Sequence, residues 1–310
     1  MAQKKTFPKW LKITLGLLIL IVAIAGWKGY QAFLGASVTD KQPYLYVHTN
    51  DRYADVLERI KTEEIVSDPA LFDYIAQAMK YPDNIKPGKY KLTPGMSNRT
   101  LIGNLRGGYQ EAVQLRFSNI RLKENLAATL GKNFEADSTQ FMALLNDEAL
   151  AKKYGFTSDN FYTMFIPNTY EIYWNTSADK VIDRLHQEYE KFWTPERLEK
   201  AKAQNLTPAE VSILASIVRG EALHNDEMPA IAGLYLNRLK KGMLLQADPT
   251  VIFANNDFTI RRVLNKHLTI DNPYNTYRFK GLPPGPINMP PIVAIDAVLN
   301  PATHEYIYMC

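Results

Sequence analysis

The sequence contains a single cysteine among its 310 residues, and that cysteine, Cys310, is the last one. A disulfide framework, a zinc site built from cysteines and a CxxC redox pair are therefore excluded. The five histidines are scattered without an HExxH motif, and the chain has no P-loop, no GxGxxG fingerprint and no GxSxG elbow. Nucleotide chemistry and the common hydrolase triads have no support, and we expect neither a metal ion nor an organic cofactor.

Beyond its first 28 residues the chain has no surplus of basic residues. The formal net charge is +4, but five lysines, the last of them Lys28, precede the first acidic residue, Asp40. The remainder is nearly neutral and has no Lys/Arg tract, which argues against nucleic acid as a partner. Hydrophobic residues at 46% and charged residues at 22% are close to globular averages. The composition indicates a folded core, and the length suggests two folded units.

An apolar segment lies among the early lysines. Ile13 to Trp27 is uncharged and mostly aliphatic, and with Trp10 included it is just long enough to cross a bilayer. A cleaved signal peptide is the alternative, but Leu34-Gly35-Ala36 matches a cleavage site poorly, and no cysteine follows for lipidation. We predict a cytoplasmic tail over residues 1–9, a single-pass anchor over 10–34 and an extracytoplasmic remainder, because the lysines precede the span.

The region after the anchor has the pattern of a small α+β module. It predicts, in order, a strand, two short helices, a strand introduced by a Pro-Gly turn, and a third helix that ends at a Gly-Gly pair. These elements are Tyr44–Val47, Tyr53–Ile60, Ala70–Lys80, the strand near Lys89–Leu92, and Leu101–Leu105. The glycine pair predicts a domain boundary near residue 108.

The middle of the chain combines helices with a dense aromatic stretch. Val113–Phe117 alternates like a strand, Lys123 begins a broken helical region that reaches Tyr154, and Lys180–Trp193 is an amphipathic helix. The aromatic stretch, Phe161–Trp174, surrounds a Pro-Asn turn. It has two interpretations, a hydrophobic core and an aromatic wall along a sugar-binding cleft, and its composition alone favours the core.

The segment with the clearest chemical signal is a helix that ends near Glu221. Thr207, Pro208 and Glu210 form a capping box that fixes its first turn. At about 100° per residue its aliphatic side chains form one arc, and Glu221 lies inside that arc. The opposite side carries Ser212, Ser216, Arg219 and Gly220.

Glu221 has two interpretations of equal weight at this point. A carboxyl on the core-facing side of a helix loses hydration, which raises its pKa and keeps the proton that a general acid needs. Alternatively, the helix frays there, and the side chain reaches water or pairs with Arg219 or Arg238. A di-iron site, suggested by the Glu221-x-x-His224 and Asp183-x-x-His186 spacings, lacks the bridging glutamates that such a site requires.

Three later loops carry hydrogen-bonding side chains beside aromatic residues. They are Gln246–Thr250, Tyr274–Tyr277 and Gly281–Ile287. Such loops can line a cleft that grips hydroxyl and amide groups, although by composition alone each is more often a structured loop.

Taken together, these segments resemble the MltG (YceG-like) endolytic murein transglycosylases. The resemblance rests on motifs in the family's order: Ala215-Ser216-Ile217-Val218-x-x-Glu221, Leu236-Asn237-Arg238-Leu239, Gly242-Met243-x-Leu245-Gln246-x-Asp248-Pro249-Thr250-Val251-Ile252, Tyr274-Asn275-Thr276-Tyr277 and Gly281-Leu282-Pro283-Pro284-Gly285-Pro286-Ile287. It extends upstream through Phe165–Glu171 to the Pro-Gly strand near Lys86, so it covers most of the chain after the anchor.

The resemblance implies an α+β protein with a membrane anchor, a LysM-like module over residues 38–110, and a mostly helical catalytic domain with a small sheet over 111–310. It makes Glu221 the acid/base that cleaves the bond between N-acetylmuramic acid and N-acetylglucosamine in nascent glycan strands and leaves a 1,6-anhydro end. The implied place is the outer face of the bacterial cytoplasmic membrane, with peptidoglycan as substrate and peptidoglycan synthases as candidate partners. The implied substrate-binding residues are Gln246, Asp248 and Thr250, then Asn237, Tyr274, Asn275 and Tyr277.

Two departures from the family pattern give further expectations. Arg219-Gly220 replaces an acid and a basic residue, so we expect a loosened helix end before Glu221. The family continues beyond the position of Cys310, so we expect an incomplete C-terminal end. Two rival functions remain open, a peptidoglycan-binding protein without activity and a hydrolytic muramidase in which Asp248 is the second carboxylate.

Overall fold

The computed structural model describes residues 9–117 and 120–308. The chain divides into two compact units. The first comprises the residues up to Ala112 with Tyr173–Asn175, and the second comprises Val113–Ile172 and the chain from Thr176 onward. Apart from Lys9, the predicted cytoplasmic tail lies outside the described residues, and so does Cys310.

A long apolar helix, α1 (Lys9–Leu34), begins the first unit. Its segment Ile13–Gln31 is 19 residues of high hydropathy whose side chains are not buried in the protein. At a rise of about 1.5 Å per residue this segment spans roughly 28 Å, close to the ~30 Å of a bilayer core. The predicted span is therefore one continuous helix, long and apolar enough to cross a membrane.

The rest of the first unit has the strand, helix, helix, strand order that the sequence predicts. Its elements are β1 (Tyr44–Val47), α2 (Tyr53–Thr62), α3 (Pro69–Ala78), β2 (Gly88–Lys91) and α4 (Asn98–Gly107). The two strands pair antiparallel with Leu45 opposite Tyr90. Because side chains alternate along a strand, Leu45, Val47 and Tyr90 share the buried face and pack with the helices. Gly108, in the left-handed conformation at φ 74°, ends α4 as the glycine pair predicts.

The second unit is mostly helical and contains a second two-stranded sheet. Its elements are β3 (Ala112–Arg116), α5 (Lys123–Asn133), α6 (Ser138–Leu145), α7 (Glu148–Lys153), β4 (Thr169–Tyr173), α8 (Ala178–Phe192), α9 (Pro195–Ala203), α10 (Pro208–Glu221), α11 (Met228–Lys240), α12 (Asp248–Ala254) and α13 (Ile292–Leu299). The α+β class, dominated by helices with small sheets, is therefore confirmed.

The aromatic stretch after α7 belongs to the core. Phe161, Phe165 and Tyr170 are buried, and Tyr170 donates its hydroxyl to the carbonyl of Ile166 at 2.6 Å. These side chains pack with α5, α6 and α8 in one buried cluster. The core interpretation is thus confirmed for these rings.

Helix α10 is the centre of the other buried cluster of this unit. It packs against α9, α11, α12 and α13, and every residue from Val211 to Val218 is buried. Ser212 and Ser216, which the helical wheel places on a polar side, are therefore buried as well. The wheel misses this because neighbouring helices cover α10 on several sides, whereas an amphipathic pattern presumes one solvent face.

Candidate active site

The candidate catalytic residue stands at the last position of α10. The helix begins with the predicted capping box, in which the Glu210 N–H donates to Thr207 Oγ1 at 3.3 Å and the Thr207 N–H donates to Glu210 Oε2 at 2.8 Å. The helix continues without a break to Glu221, and Ala222 caps it. The expectation of a loosened end is therefore wrong.

The glycine before Glu221 has a packing reason. A Cβ atom at Gly220 would lie 2.8 Å from Pro249 Cβ and 2.9 Å from Pro249 Cγ, distances too short for carbon atoms. The absence of a side chain lets the start of α12 approach the end of α10. Pro249 follows Asp248, so this contact also sets where Asp248 stands relative to Glu221.

Two donors face the Glu221 carboxyl. Tyr235, a buried residue of α11, donates its hydroxyl to Glu221 Oε1 at 3.2 Å. The backbone N–H of Asp248 also donates to the carboxyl. The site is therefore built from the end of one helix, the middle of a second and the start of a third.

The net effect of these surroundings is to raise the pKa of Glu221. Burial is the largest cause, and the nearby negative charge of Asp248 acts in the same direction. The two hydrogen bonds from Tyr235 and the Asp248 N–H favour the carboxylate and oppose the shift, but they do not cancel it. A carboxyl in this state keeps its proton closer to neutral pH than an exposed glutamate does.

The alternative, an ion pair between Glu221 and one of two arginines, is not what the structure shows. Arg238 is buried and donates to the carbonyls of Leu244, Leu245 and Ile307 at 3.1, 2.7 and 2.7 Å. Arg219 is exposed and forms no ion pair within the described part of the chain. No cation is therefore paired with the Glu221 carboxyl among residues 9–117 and 120–308.

Three predicted substrate-binding residues have side chains at least partly open to solvent near Glu221. Gln246 and Asp248 are exposed, and Tyr277 donates its hydroxyl to Asp248 Oδ1 at 2.6 Å. Burial, this hydrogen bond and the charge of Asp248 together raise the pKa of the Tyr277 phenol. Gln246 has a left-handed backbone, with φ 53°, and its Oε1 accepts from Arg238 at 3.2 Å. Such a conformation is uncommon outside glycine and is often found at functional loops.

Two other predicted substrate-binding residues lie behind these loops. Thr250 is fully buried, and its hydroxyl bonds to Thr276 Oγ1 and the Ala247 carbonyl, both at 2.7 Å. Asn275 is fully buried too, and its amide donates to two backbone carbonyls at 2.9 and 2.8 Å. Their hydrogen-bonding groups are used within the protein, so these side chains hold the loops and do not face the cleft, in contrast to what the resemblance implies.

Asn237 and Tyr274 also make contacts within the protein. Asn237 donates to the carbonyls of His304 and Tyr306 at 2.8 and 3.1 Å, which fastens the C-terminal segment across α11. Tyr274 is half-buried against Phe253, with ring centroids 4.7 Å apart, and burial raises its pKa to about 12. Both side chains are therefore engaged in contacts with other parts of the chain.

Several residues that support the site are missing from the sequence-based prediction. Ser216 accepts the Ile287 N–H on its Oγ at 3.0 Å, and its carbonyl accepts from the Asn288 amide at 2.9 Å, so α10 holds the Pro/Gly loop. Tyr235 and Arg238 are the other two. The sequence feature that could have identified these three residues is a polar group in an otherwise apolar helix. Such a group must find a hydrogen-bond partner when the helix lies in the core.

An open cleft of about 650 Å³ borders Gly220 and Ala222, the chain neighbours of Glu221. Pro167, from the Pro-Asn turn, also borders it, so one residue of the aromatic stretch reaches this cleft, whereas Phe161, Phe165 and Tyr170 lie in the core. Within the described residues, no group of three or more His, Cys, Asp or Glu side chains has the arrangement of a metal site.

Comparison with known proteins relates this arrangement to a family. An "Endolytic murein transglycosylase" of Streptococcus pneumoniae serotype 2 (strain D39) is 26% identical over an alignment of 325 positions. The alignment covers 94% of this chain and 59% of that protein. A protein of the same description from Bacillus subtilis (strain 168) is 28% identical over 265 residues, covering 80% of this chain and 73% of the relative. The chain thus spans about three fifths of the pneumococcal relative's length.

Comparison with solved structures finds a protein of similar fold. The crystal structure of a yceG-like protein from Listeria monocytogenes superposes with a TM-score of 0.57 at 22% identity, covering 87% of this chain and 93% of that one. The YceG-like family model matches residues 45–310, from the first strand of the first unit through the whole candidate site. The chain therefore belongs to the YceG-like family.

Proposed function

We propose that this protein is a membrane-anchored endolytic peptidoglycan transglycosylase with Glu221 as its catalytic acid/base. The observation that carries the proposal is the Glu221 carboxyl, which is partly buried at the end of α10, has a raised pKa and has no cation paired with it among the described residues. The relatives named endolytic murein transglycosylase support the reaction type.

In the first step the protonated Glu221 acts as a general acid. It gives its proton to the oxygen that joins C1 of N-acetylmuramic acid to C4 of N-acetylglucosamine, and the C1–O bond breaks as positive charge develops at C1. The N-acetylglucosamine leaves with a free 4-hydroxyl. Glu221 becomes a carboxylate, which the Tyr235 hydroxyl and the Asp248 N–H stabilise through their hydrogen bonds.

In the second step the same carboxylate acts as a general base. It takes the proton of the muramic acid C6 hydroxyl while that oxygen bonds to C1, so Glu221 regains its proton and a 1,6-anhydro ring forms. No water is consumed, because the nucleophile belongs to the substrate. One carboxyl therefore suffices, whereas ordinary glycosidases use two.

The neighbouring side chains divide into two groups by exposure. In this proposal Gln246, Asp248 and Tyr277, which are at least partly exposed, contact sugar hydroxyl and amide groups directly. Thr250, Asn275, Asn237 and Tyr274 act indirectly, by fixing the loops and the C-terminal segment that form the walls. Replacing a residue of the second group should therefore affect stability together with activity.

The remaining parts of the chain are consistent with a function at a membrane surface. We assign α1 as a single-pass anchor with its lysine-rich end in the cytoplasm, and the chain after α1 to the outer face of the cytoplasmic membrane. Residues 38–110, within the first unit, serve as a LysM-like module that holds glycan. Residues 111–310 form the catalytic domain, and peptidoglycan synthases are the partners that this location suggests.

The test of the reaction is mass spectrometry of the glycan products. The full chain in detergent is incubated with purified peptidoglycan beside Glu221→Gln and a matched control, Glu199→Gln, which removes the same charge from an exposed position on α9. We expect anhydro-ended fragments from the parent and the control and none from Glu221→Gln. Reducing ends would instead indicate a hydrolase with Asp248 as partner, and strand binding without products would indicate a binding protein.

The orientation has a separate test that uses the single cysteine. A membrane-impermeant maleimide added to intact spheroplasts should label Cys310, because the proposal places the C-terminus outside. Labelling after detergent solubilisation gives the signal expected when every Cys310 is accessible, and the spheroplast signal is compared with it. Labelling only after solubilisation would contradict the orientation.

A further inference from the structure

The cleft beside Glu221 has a chemistry of its own that the cleavage step does not use. Its volume is about 650 Å³, which lies within the range of roughly 300–1,000 Å³ that is common for ligand sites. It borders Gly220 and Ala222, the two chain neighbours of Glu221, while Glu221 itself is not among the described residues that line it. The described residues that line it fall into three kinds, which are basic, amide-bearing and apolar.

The basic residues are two arginines, Arg121 and Arg219. No carboxyl group is among the lining residues that the structure describes. The guanidinium of Arg121 stacks on the ring of Phe258 at 4.4 Å, which restrains it, and Arg219 occupies the last turn of α10. Neither forms an ion pair within residues 9–117 and 120–308, so both guanidiniums can receive an anion.

The amide-bearing residues are Asn225 and Asn288. The Asn288 Nδ2 donates to the Ser216 carbonyl at 2.9 Å. Because a carbonyl can only accept, this bond fixes which way the amide points. Asn288 Oδ1 is then a buried acceptor for which the described residues supply no donor. Asn225 is exposed, so its side-chain amide can both donate to and accept from a ligand in the cleft.

The apolar residues complete a mixed surface. Met289, Val293 and Pro291 line the same cleft. Val293 is 41% exposed although it belongs to a helix whose other aliphatic residues are mostly buried. Small aliphatic groups of a ligand can pack there while its polar atoms meet the arginines and asparagines.

The geometry points to the peptide branch of the substrate as the occupant of this cleft. The inference rests on the proposed function, because in peptidoglycan the stem peptide is attached to the same muramic acid whose C1 is cleaved. That branch carries carboxylates for Arg121 and Arg219, amide groups for Asn225 and alanine methyl groups for the apolar wall. A strand stripped of its peptides keeps only the lactyl carboxylate and methyl group of each muramic acid, and it lacks the amide groups, the alanine side chains and the more distant carboxylates of the peptide.

The first experiment compares two substrates with the full chain. Strands that carry stem peptides and strands stripped of them by an amidase are cleaved in parallel, and the ratio of kcat/KM values is measured. We expect the parent to prefer the peptide-bearing strands by about tenfold or more, since charge-assisted hydrogen bonds are strong. In Arg121→Gln and Arg219→Gln the ratio should fall toward one. Arg261→Gln, an exposed arginine outside the cleft, is the matched control and should keep the preference.

The second experiment measures binding without cleavage. Titration calorimetry of the full chain with the isolated stem peptide should show binding that weakens several-fold in Arg121→Gln and Arg219→Gln but not in Arg261→Gln. Equal cleavage of both substrates by the parent, or an unchanged ratio together with unchanged peptide binding in both variants, would overturn the inference. Failure of the parent to cleave either substrate would overturn the proposed function instead, and the binding experiment would still decide the occupant of the cleft.

Discussion

The hydroxyl of Tyr235 donates a hydrogen bond to the carboxyl of Glu221 across 3.2 Å. Tyr235 is 1% exposed, so the bond lies in a largely desolvated region where such contacts are strong. It lowers the pKa of Glu221 against the larger effect of burial, while the charge of Asp248, a smaller effect than this hydrogen bond, acts with burial to raise it. An acid/base must both give and regain a proton, and opposing effects of this kind keep the two states accessible.

Replacing Tyr235 with Phe should therefore raise the pKa of Glu221 further. The rate of a general acid falls as the pH rises through its pKa, so the alkaline limb of the pH–rate profile should move to higher pH. The maximum rate should fall by about tenfold or more, because a hydrogen bond to a charged group contributes about 1.5–3 kcal/mol. Product formation measured across the pH range gives both quantities.

The control for that change is Tyr189→Phe, a half-buried tyrosine of the same unit whose hydroxyl has no bond to Glu221. It should leave the alkaline limb in place. A Tyr235→Phe profile that differs from the parent only in height would show that the hydroxyl does not act on the proton of Glu221.

Replacing Asp248 with Asn should have the opposite effect on the profile. Its negative charge raises the pKa of Glu221, so its removal lowers that pKa and moves the alkaline limb to lower pH. The backbone N–H that donates to Glu221 remains in the variant. The products should keep their anhydro ends, as determined by mass spectrometry.

The control for Asp248→Asn is Tyr277→Phe, which removes the 2.6 Å hydrogen bond to Asp248 but leaves its charge. The alkaline limb should move less than in Asp248→Asn. Complete loss of activity at every pH in Asp248→Asn would identify Asp248 as an essential second carboxylate and favour the hydrolytic alternative.

Replacing Glu221 with Gln should change how stability depends on pH. The folded-state pKa of Glu221 is raised above its ordinary value of 4.5, so the folded protein holds this proton more tightly than the unfolded chain does. The contribution of this proton to the free energy of unfolding is fully present below the ordinary pKa, and it is lost as the pH rises through the raised pKa. Gln imitates the protonated form, so the variant's Tm minus the parent's should grow from acid to neutral pH. Glu199→Gln, at an exposed site, should give no such rise. If the plots of Tm against pH for Glu221→Gln and the parent were parallel, the raised pKa of Glu221 would be contradicted.

The frame of the site was predictable because short-range chemistry fixes it. The capping box at Thr207 and Glu210 sets the start of α10, and fourteen helical residues then place Glu221 at its end. Gly242, at φ 64°, follows α11, and a glycine in this left-handed conformation is a common signal for the end of a helix. Each of these features depends on residues within one or two turns of one another, so the sequence carries them directly.

The contacts around Glu221 were not predictable because their partners are distant in the chain. Ser216 and Ile287 are 71 residues apart, and Thr250 and Thr276 are 26 apart. A polar residue in a loop has the same appearance in a sequence whether it bonds a ligand or another loop. That is why the buried Thr250 and Asn275 were expected on the wall of the cleft, while Tyr235 was not expected beside Glu221.

The contact between Gly220 and Pro249 leads to a prediction about how the site is assembled. In Gly220→Ala the new methyl group would lie 2.8 Å from Pro249 Cβ, so α12 or the end of α10 must shift. Overpacking of this kind costs about 1–3 kcal/mol, which outweighs the gain of up to about 1 kcal/mol from replacing glycine in a helix. The free energy of unfolding, from urea denaturation, should therefore decrease, and kcat should fall because Asp248 moves relative to Glu221.

The matched control is Gly103→Ala, in the interior of α4, where a new Cβ atom meets nothing within 4 Å. That variant should be more stable than the parent by about 0.5–1 kcal/mol, because only the helix propensity changes. Its activity per folded molecule should equal the parent's. If Gly220→Ala were as stable and as active as Gly103→Ala, the close approach of α12 to α10 would not be what positions Asp248 beside the catalytic carboxyl.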